Sequence, residues 1–155
     1  MNKNVILLIE DEEKLSRTLA EYLELNGYRV LRALNGLEGL SMFYDHMHEV
    51  DLILLDMVMP GVSGMELLKV LKKSENWSNI SVIFLTSLEG VDIELEGFTN
   101  GASDFLQKPV NAELLRLKIK RQLFIQDLKA ENQHLQKTLQ TLHSRIDQIF
   151  NEVLS

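Results

Sequence analysis

The chain has 155 residues and a mass of 17.8 kDa, which fits one ordinary domain plus an additional segment and excludes a large multidomain enzyme. Its 16 basic and 23 acidic residues give a net charge of -7, which disfavours direct DNA binding, and the absence of cysteine excludes disulfides and cysteine-ligated zinc. Because no apolar run reaches the ~20 residues of a membrane span and no signal peptide is recognisable, we expect a cytoplasmic protein without a membrane partner.

Short apolar runs alternate with helical patterns along the first two thirds of the chain. The runs predict strands at residues 5–9, 28–31, 52–55, 80–85 and 104–107. Between them, apolar residues at helical spacing predict a helix that stops at Asn26-Gly27, followed by helices over 36–46, 64–73 and 92–100. Strands that are apolar throughout are typical of a parallel sheet covered on both faces. The pattern therefore predicts a doubly wound α/β fold.

The last third of the chain has a different residue pattern. Residues 111–155 contain no Gly and no Pro, so one helix capped by Asn111 can run through them. Its apolar residues step alternately by three and four, which is typical of a coiled coil. Position a is occupied by Ile125, Asn132, Leu139, Ile146 and Val153, and position d by Leu128, Leu135, Leu142 and Ile149. We expect an α/β domain over 1–122 and a coiled-coil helix over 123–155 that forms a parallel homodimer; the alternative is a helix that folds back on its own domain.

Polar residues follow four of the predicted strands. Glu10 and Asp11 come after the first strand, Asp56 after the third, Thr86 after the fourth and Lys108 after the fifth. The carboxyl ends of parallel strands meet at one edge of a sheet, so these side chains should converge. Crowded carboxylates repel one another, and an all-oxygen cluster suits Mg²⁺. A metal, an ammonium group and a hydroxyl around an aspartate suit phosphoryl transfer to that aspartate, although each residue taken singly could be only a cap or a surface charge.

Four segments resemble the response-regulator receiver domain of two-component signalling, which has a chemotaxis-regulator-like fold. They are ILLIED at 6–11, DLILLDMVMPGVSG at 51–64, FLTS at 84–87 and GASDFLQKP at 101–109. The resemblance covers roughly residues 3–122 and includes the intervals of 30 and 22 residues that separate Asp56, Thr86 and Lys108. It implies a flavodoxin-like sheet with strand order 2-1-3-4-5 and a cis bond between Lys108 and Pro109.

The resemblance also implies a role for each site residue. Asp56 would accept a phosphoryl group from the phosphohistidine of a sensor histidine kinase or of a phosphotransfer protein. The Mg²⁺ ligands would be Glu10 through water, Asp11, Asp56 and the backbone carbonyl of Val58. The phosphoryl oxygens would be held by Thr86, Lys108 and backbone amides near Val58 and Ser87. In this family the switch is Thr86 moving toward the phosphoryl group while an aromatic residue, here Phe105, turns inward.

We therefore expect a phosphoprotein of a phosphorelay rather than an enzyme, with at most self-catalysed phosphorylation and dephosphorylation. Phosphorylation would change the face of the fourth and fifth helices and, through the coiled coil, signal to an output partner or output domain. One alternative is a Mg²⁺-dependent phosphatase with an aspartyl-phosphate intermediate, but such enzymes usually carry a second Asp where this chain has Val58. The other is a phosphorylation-silent dimerisation module, which the full set of site residues argues against.

Overall fold

A five-stranded parallel sheet forms the centre of the first part of the chain in the computed structural model, which describes residues 3–155. The strands are β1 (Val5–Ile9), β2 (Arg29–Ala33), β3 (Val50–Asp56), β4 (Ser81–Thr86) and β5 (Asp104–Gln107). Their order across the sheet is β2-β1-β3-β4-β5 and every pairing is parallel. The predicted doubly wound fold and strand order are confirmed.

Five helices connect or follow the strands. They are α1 (Glu13–Leu25), α2 (Gly36–Asp45), α3 (Gly64–Leu71), α4 (Val91–Thr99) and α5 (Ala112–Leu154), with a short 3-10 helix at Trp77–Asn79. Three of them begin at a side-chain cap, because Asn35, Ser63 and Asn111 each accept a hydrogen bond from a backbone N–H of the first turn, at 2.8, 3.2 and 2.9 Å. These caps satisfy donors that the helices themselves leave unpaired.

The core lies on both faces of the sheet. Alternate residues of β1 point to opposite faces, so that Ile6 belongs to one apolar cluster and Leu7 to the other. The cluster containing Leu7 is closed by side chains from α2 and α3, such as Phe43 and Leu67, and the other by side chains from α1 and the beginning of α5. Coverage of both faces is the reason that the central strands are apolar throughout.

The position of β2 differs from the sequence expectation. The apolar residues predicted a strand over 28–31, whereas β2 runs from Arg29 to Ala33. Its five residues pair one to one with those of β1, from Val5 opposite Arg29 to Ile9 opposite Ala33. β2 is an edge strand whose single neighbour is β1, so pairing with β1 sets its length. Because this edge is partly exposed, a charged residue such as Arg32 can lie within the strand.

Two compact units divide the chain after Leu123. The second unit, residues 124–155, is helical as far as Leu154. Six of its predicted a and d side chains, Leu128, Leu135, Leu139, Leu142, Ile146 and Ile149, are between 49% and 58% exposed, and Val153 is 76% exposed. The long helix is therefore as expected, and its assembly into a coiled coil stays a prediction. Within residues 3–155, no helix is both long and apolar enough to cross a bilayer.

Candidate functional site

The sheet brings the predicted polar residues to its carboxyl edge. Asp56 and Thr86 are the last residues of the adjacent strands β3 and β4, and Glu10 and Lys108 directly follow β1 and β5. Asp11 follows Glu10 in the turn before α1. The five residues come from separate parts of the sequence, and the parallel order of the strands delivers them to the same edge.

Three carboxylates form an acidic cluster at this edge. Glu10, Asp11 and Asp56 each place one carboxylate oxygen within 4.8 Å of the other two. Glu10 is fully buried and Asp56 is 3% exposed, whereas Asp11 faces solvent. The cluster thus has a buried floor of two acids and an open side at Asp11 through which an ion or a ligand can enter.

Lys108 supplies the positive charge of the site. Its Nζ lies 3.3 Å from Oδ2 of Asp56 and 3.0 Å from Oε2 of Glu10, and it donates a hydrogen bond of 3.1 Å to Oε1 of Glu10. Burial by itself would lower the pKa of Lys108, but the hydrogen bond and charge of Glu10, together with Asp56, raise it. The ammonium group therefore stays charged. The Lys108–Pro109 peptide bond is cis.

The Asp56 carboxyl group is strongly perturbed. Burial is the largest cause, and interactions with Asp11 and Glu10 add to it, so that the pKa of Asp56 rises to about 7. A hydrogen bond of 3.1 Å from the backbone N–H of Val58 to Oδ1, together with the charge of Lys108, opposes the rise. One ammonium group does not neutralise the three acids, and the site favours a further positive charge.

The residues fit a divalent cation. Oε2 of Glu10 is buried and, in the described chain, accepts no hydrogen bond, because Lys108 directs its hydrogen bond to Oε1 although its Nζ is also close to Oε2. The Lys108 charge compensates Oε2 in part, and because this oxygen accepts no hydrogen bond within residues 3–155 it can accept one from a metal-bound water. The donors are all oxygens from carboxylates, which suits the hard ion Mg²⁺ better than zinc or copper.

The other predicted phosphate-binding residues, Val58, Thr86 and Ser87, lie at the ends of the adjacent strands β3 and β4. Val58 follows Asp56 by two residues and is 54% exposed, and Ser87 is exposed directly after β4. Thr86 is 3% exposed; its hydroxyl accepts a hydrogen bond of 3.0 Å from the Leu88 N–H and lies 3.7 Å from the sulfur of Met57. The Thr86 hydroxyl thus accepts from Leu88 and directs its own hydrogen toward Met57, and this hydrogen is the one that a phosphoryl oxygen on Asp56 would have to take over.

Phe105, the predicted switch aromatic, packs inward. Its ring centroid lies 5.4 Å from that of Phe84 in β4 and 5.0 Å from that of Phe98 in α4. The ring also lies against Gly97, where an added Cβ would overlap it. The Phe105 ring therefore already occupies the inward position, although the Thr86 hydroxyl still accepts its hydrogen bond from Leu88.

Sequence reasoning missed two glycines that shape the site. Gly64, the first residue of α3, lies so close to β3 that an added Cβ would overlap the backbone oxygen of Asp56. Gly97 makes room for Phe105 in the same way. Neither glycine has a positive φ, so no turn pattern could reveal them, and each is required by close approach rather than by backbone conformation.

Comparison with known proteins gives the same assignment for most of the chain. Residues 6–120 match the response regulator receiver domain family. The chain is 38% identical over 132 residues to the uncharacterized transcriptional regulatory protein YkoG of Bacillus subtilis, a match that covers 85% of the chain and 56% of that protein. It is 35% identical over 149 residues to YrkP of the same organism, covering 96% and 62% respectively. The chain therefore spans less than two thirds of the length of these relatives.

Solved structures agree with the fold. A CheY-like receiver domain protein from Methanospirillum hungatei is 28% identical and superimposes with a TM-score of 0.76, over 83% of this chain and 99% of that one. A receiver domain protein from Clostridium thermocellum is 33% identical with a TM-score of 0.75, over 81% and 98%. Almost the whole of each receiver domain is thus matched.

Proposed function

The chain belongs to the response-regulator receiver domain family, and from this premise we propose that Asp56 accepts a phosphoryl group from the phosphohistidine of a histidine kinase or phosphotransfer protein. The observation that carries the proposal is the position of Asp56, nearly buried, beside the Glu10 and Asp11 carboxylates and 3.3 Å from Lys108. A nearly buried aspartate next to two acids and one ammonium group destabilises the folded protein. Such costly groups of charges are typical of functional sites, and phosphoryl transfer is a function that would use each of these groups.

In the proposed reaction a carboxylate oxygen of Asp56 attacks phosphorus and forms the P–O bond of an acyl phosphate. The P–N bond of the phosphohistidine breaks, its electrons return to the imidazole nitrogen, and that nitrogen takes up a proton. Lys108, already within reach of Oδ2, can follow the developing charge on the phosphoryl oxygens. Thr86 and the backbone N–H groups near Val58 and Ser87 are the other proposed donors, and Thr86 would redirect to the phosphoryl group the hydrogen that it now directs toward the Met57 sulfur.

The acidic cluster is the proposed Mg²⁺ site. Asp11 and Asp56 would bind the ion directly, Glu10 through water and Val58 through its carbonyl oxygen. When bound, Mg²⁺ neutralises the crowded carboxylates and offsets negative charge on the transferring group. The protein's own contribution is to orient Asp56, with Lys108 on one side and the N–H of Val58 on the other, and both of these groups favour the ionised carboxylate against the effect of burial.

This proposal predicts metal-dependent phosphorylation. Incubation with a small acyl phosphate donor and Mg²⁺ should add one phosphoryl group per chain, measured by intact-protein mass spectrometry. Because the three acids repel the incoming anion without the cation, removal of Mg²⁺ with EDTA should reduce the rate by at least about a hundredfold. Equal rates with Mg²⁺ and with EDTA would contradict the metal assignment.

We further propose that the signal passes to a parallel homodimer. Phosphorylation replaces about one negative charge on Asp56 by about two and adds strong acceptors, which biases the packing of α4 and α5. Residues 112–154 form one continuous helix, so a change in its first turns has a covalent path into residues 124–154, here called the heptad segment. That segment carries exposed apolar side chains at a and d, and its Asn132 at position a suits a parallel register.

The relay predicts a response to beryllofluoride, which mimics the phosphoryl group. With Mg²⁺ and beryllofluoride, we expect the dimer dissociation constant of the full chain, measured by analytical ultracentrifugation, to change by at least about threefold. The fluorescence of Trp77, the only tryptophan, should report on the α4 side of the domain, because its ring lies against Gly101 just after α4. Asp56→Asn is the control. If both signals stay unchanged in the wild type, the switch is wrong.

We propose that this chain is not an enzyme and that it catalyses at most its own phosphorylation and dephosphorylation. A phosphatase would use a second acid near Asp56, and the residue two positions later is the apolar Val58. We propose that the output is either a separate partner or a further domain. A further domain is known from one relative: the chain is 31% identical over 160 residues to a cyclic di-GMP phosphodiesterase of Thermotoga maritima and covers only 42% of that protein. Because its net charge is -7, we propose that this chain does not itself contact DNA. We also propose that it acts in the cytoplasm.

A further inference from the structure

The heptad segment exposes two phenylalanines outside its a and d positions. With Ile125 at a and Leu128 at d, Phe124 falls at position g and Phe150 at position e. Their exposed fractions are 63% and 65%, and they lie near the two ends of the segment. Positions e and g usually carry Glu or Lys, so two phenylalanines there require a reason.

Each phenylalanine has a cation five residues away. Lys129, at position e, follows Phe124 by five residues, and Arg145, at position g, precedes Phe150 by five. Within one helix, residues five apart are separated by about 140° and do not touch. In a parallel, in-register coiled coil, position g of one helix instead faces position e of the next heptad on the other helix, which is five residues further along.

Both cations lack acidic neighbours on their own helix. The positions three and four residues from Lys129 on either side are Ile125, Gln126, Asn132 and Gln133. Those around Arg145 are Thr141, Leu142, Gln148 and Ile149. Neither cation therefore has the intrahelical ion pair that commonly engages a surface Lys or Arg.

We propose that a second copy of this chain docks in parallel and in register on the heptad segment, and that cation–aromatic pairs fix this register at both ends. This inference rests on the proposed parallel homodimer and adds the contacts that fix its register. Phe124 contacts Lys129 of the partner subunit, and Arg145 contacts Phe150 of the partner subunit; symmetry doubles each pair. The rings shield the apolar seam, and the cations gain attraction from the ring faces without competing ion pairs.

The remaining positions favour the same register. Asn132 faces Asn132 of the partner subunit, so the two amides can hydrogen-bond across the seam. The two intervening g-to-e pairs are Glu131 with Gln136 and Thr138 with His143, which contain no like charges. In-register docking thus leaves no unpaired seam amide and no repulsive flanking pair.

An antiparallel dimer is the main competitor. One such alignment pairs Glu131 with Arg145 of the partner subunit, which is attractive, but it sets Asn132 against Leu142 of the partner subunit twice. Two buried amides would then lack partners, and an unsatisfied buried polar group is costly. Exposed ion pairs contribute little to stability, so the parallel arrangement is favoured.

Orientation can be tested because the chain contains no cysteine. Asn132→Cys in the full chain should form an interchain disulfide rapidly under mild oxidation, since the two position-a side chains meet in register. As the matched control, Lys137→Cys, at the outer position f, should not. In the double variant Asn132→Cys and Leu142→Cys, peptide mapping should find 132–132 and 142–142 links. Links between 132 and 142 would establish the antiparallel dimer and overturn the inference.

The cation–aromatic pair can be tested by a double-mutant cycle on the dimer dissociation constant. Arg145→Ala, Phe150→Ala and the double variant should show a coupling of roughly fivefold to thirtyfold, because the dimer contains two copies of the pair. A control cycle with Lys137→Ala and Phe150→Ala should be additive. Additive effects in a stable parallel dimer would overturn the pairing alone, whereas a wild-type chain that stays monomeric would overturn the proposed homodimer with it.

Discussion

Replacing Asp56 with Asn is expected to abolish phosphoryl incorporation to the background of the assay. The amide has no anionic oxygen to attack phosphorus, while its size and position match those of the carboxylate. Glu10 should not substitute, because it is buried against Lys108. The measurement is intact-protein mass after incubation with an acyl phosphate donor and Mg²⁺.

Two controls make this result specific. Asp45→Asn removes an exposed carboxylate from the end of α2 and should leave phosphorylation unchanged. In the wild type, hydroxylamine should release the phosphoryl group, as expected of an acyl phosphate and not of a serine or threonine ester. A phosphorylated Asp56→Asn protein that resists hydroxylamine would place the acceptor on another residue and reject the proposed function.

The contribution of Asp56 to the stability of the metal-free protein is expected to fall as the pH rises from about 4 to about 7. Folding raises the pKa of Asp56 from 3.8 to about 7, so between these values the folded state binds a proton that the unfolded state has released. This contribution to the free energy of unfolding therefore falls with increasing pH and levels off above the folded-state pKa. For a rise of this size the total loss is up to about 4 kcal/mol.

The same variant isolates this effect. Asp56→Asn carries no titrating group at this position, so its urea-unfolding curves should lack the Asp56 contribution. Its advantage over the wild type should grow from pH 4 upward and level off near pH 7, at up to about 4 kcal/mol. Saturating Mg²⁺ should reduce the difference above pH 7, because it stabilises more strongly the protein that offers the third carboxylate. Parallel pH profiles for the two proteins would show that the Asp56 charge is not destabilising.

Much of the fold follows from local patterns in the sequence. The apolar runs that became β1, β3 and β4 are long enough and uniform enough to identify strands covered on both faces. The strand ends then nominate Asp56, Thr86 and Lys108, because a parallel sheet gathers its carboxyl ends at one edge. The heptad spacing identifies the long helix, since a period near 3.5 leaves no other regular structure.

The tertiary structure alone decided how these residues interact. It gave β2 the length of β1, it set the Lys108 hydrogen bond on Glu10 rather than on Asp56 alone, and it placed Gly64 against the backbone of Asp56. It also buried Asp56 enough to raise its pKa to about 7. Residue types and spacing determine which groups reach the edge of the sheet. Burial, contact distance and close approach depend on atoms far apart in the chain, so these properties emerge only when the elements pack.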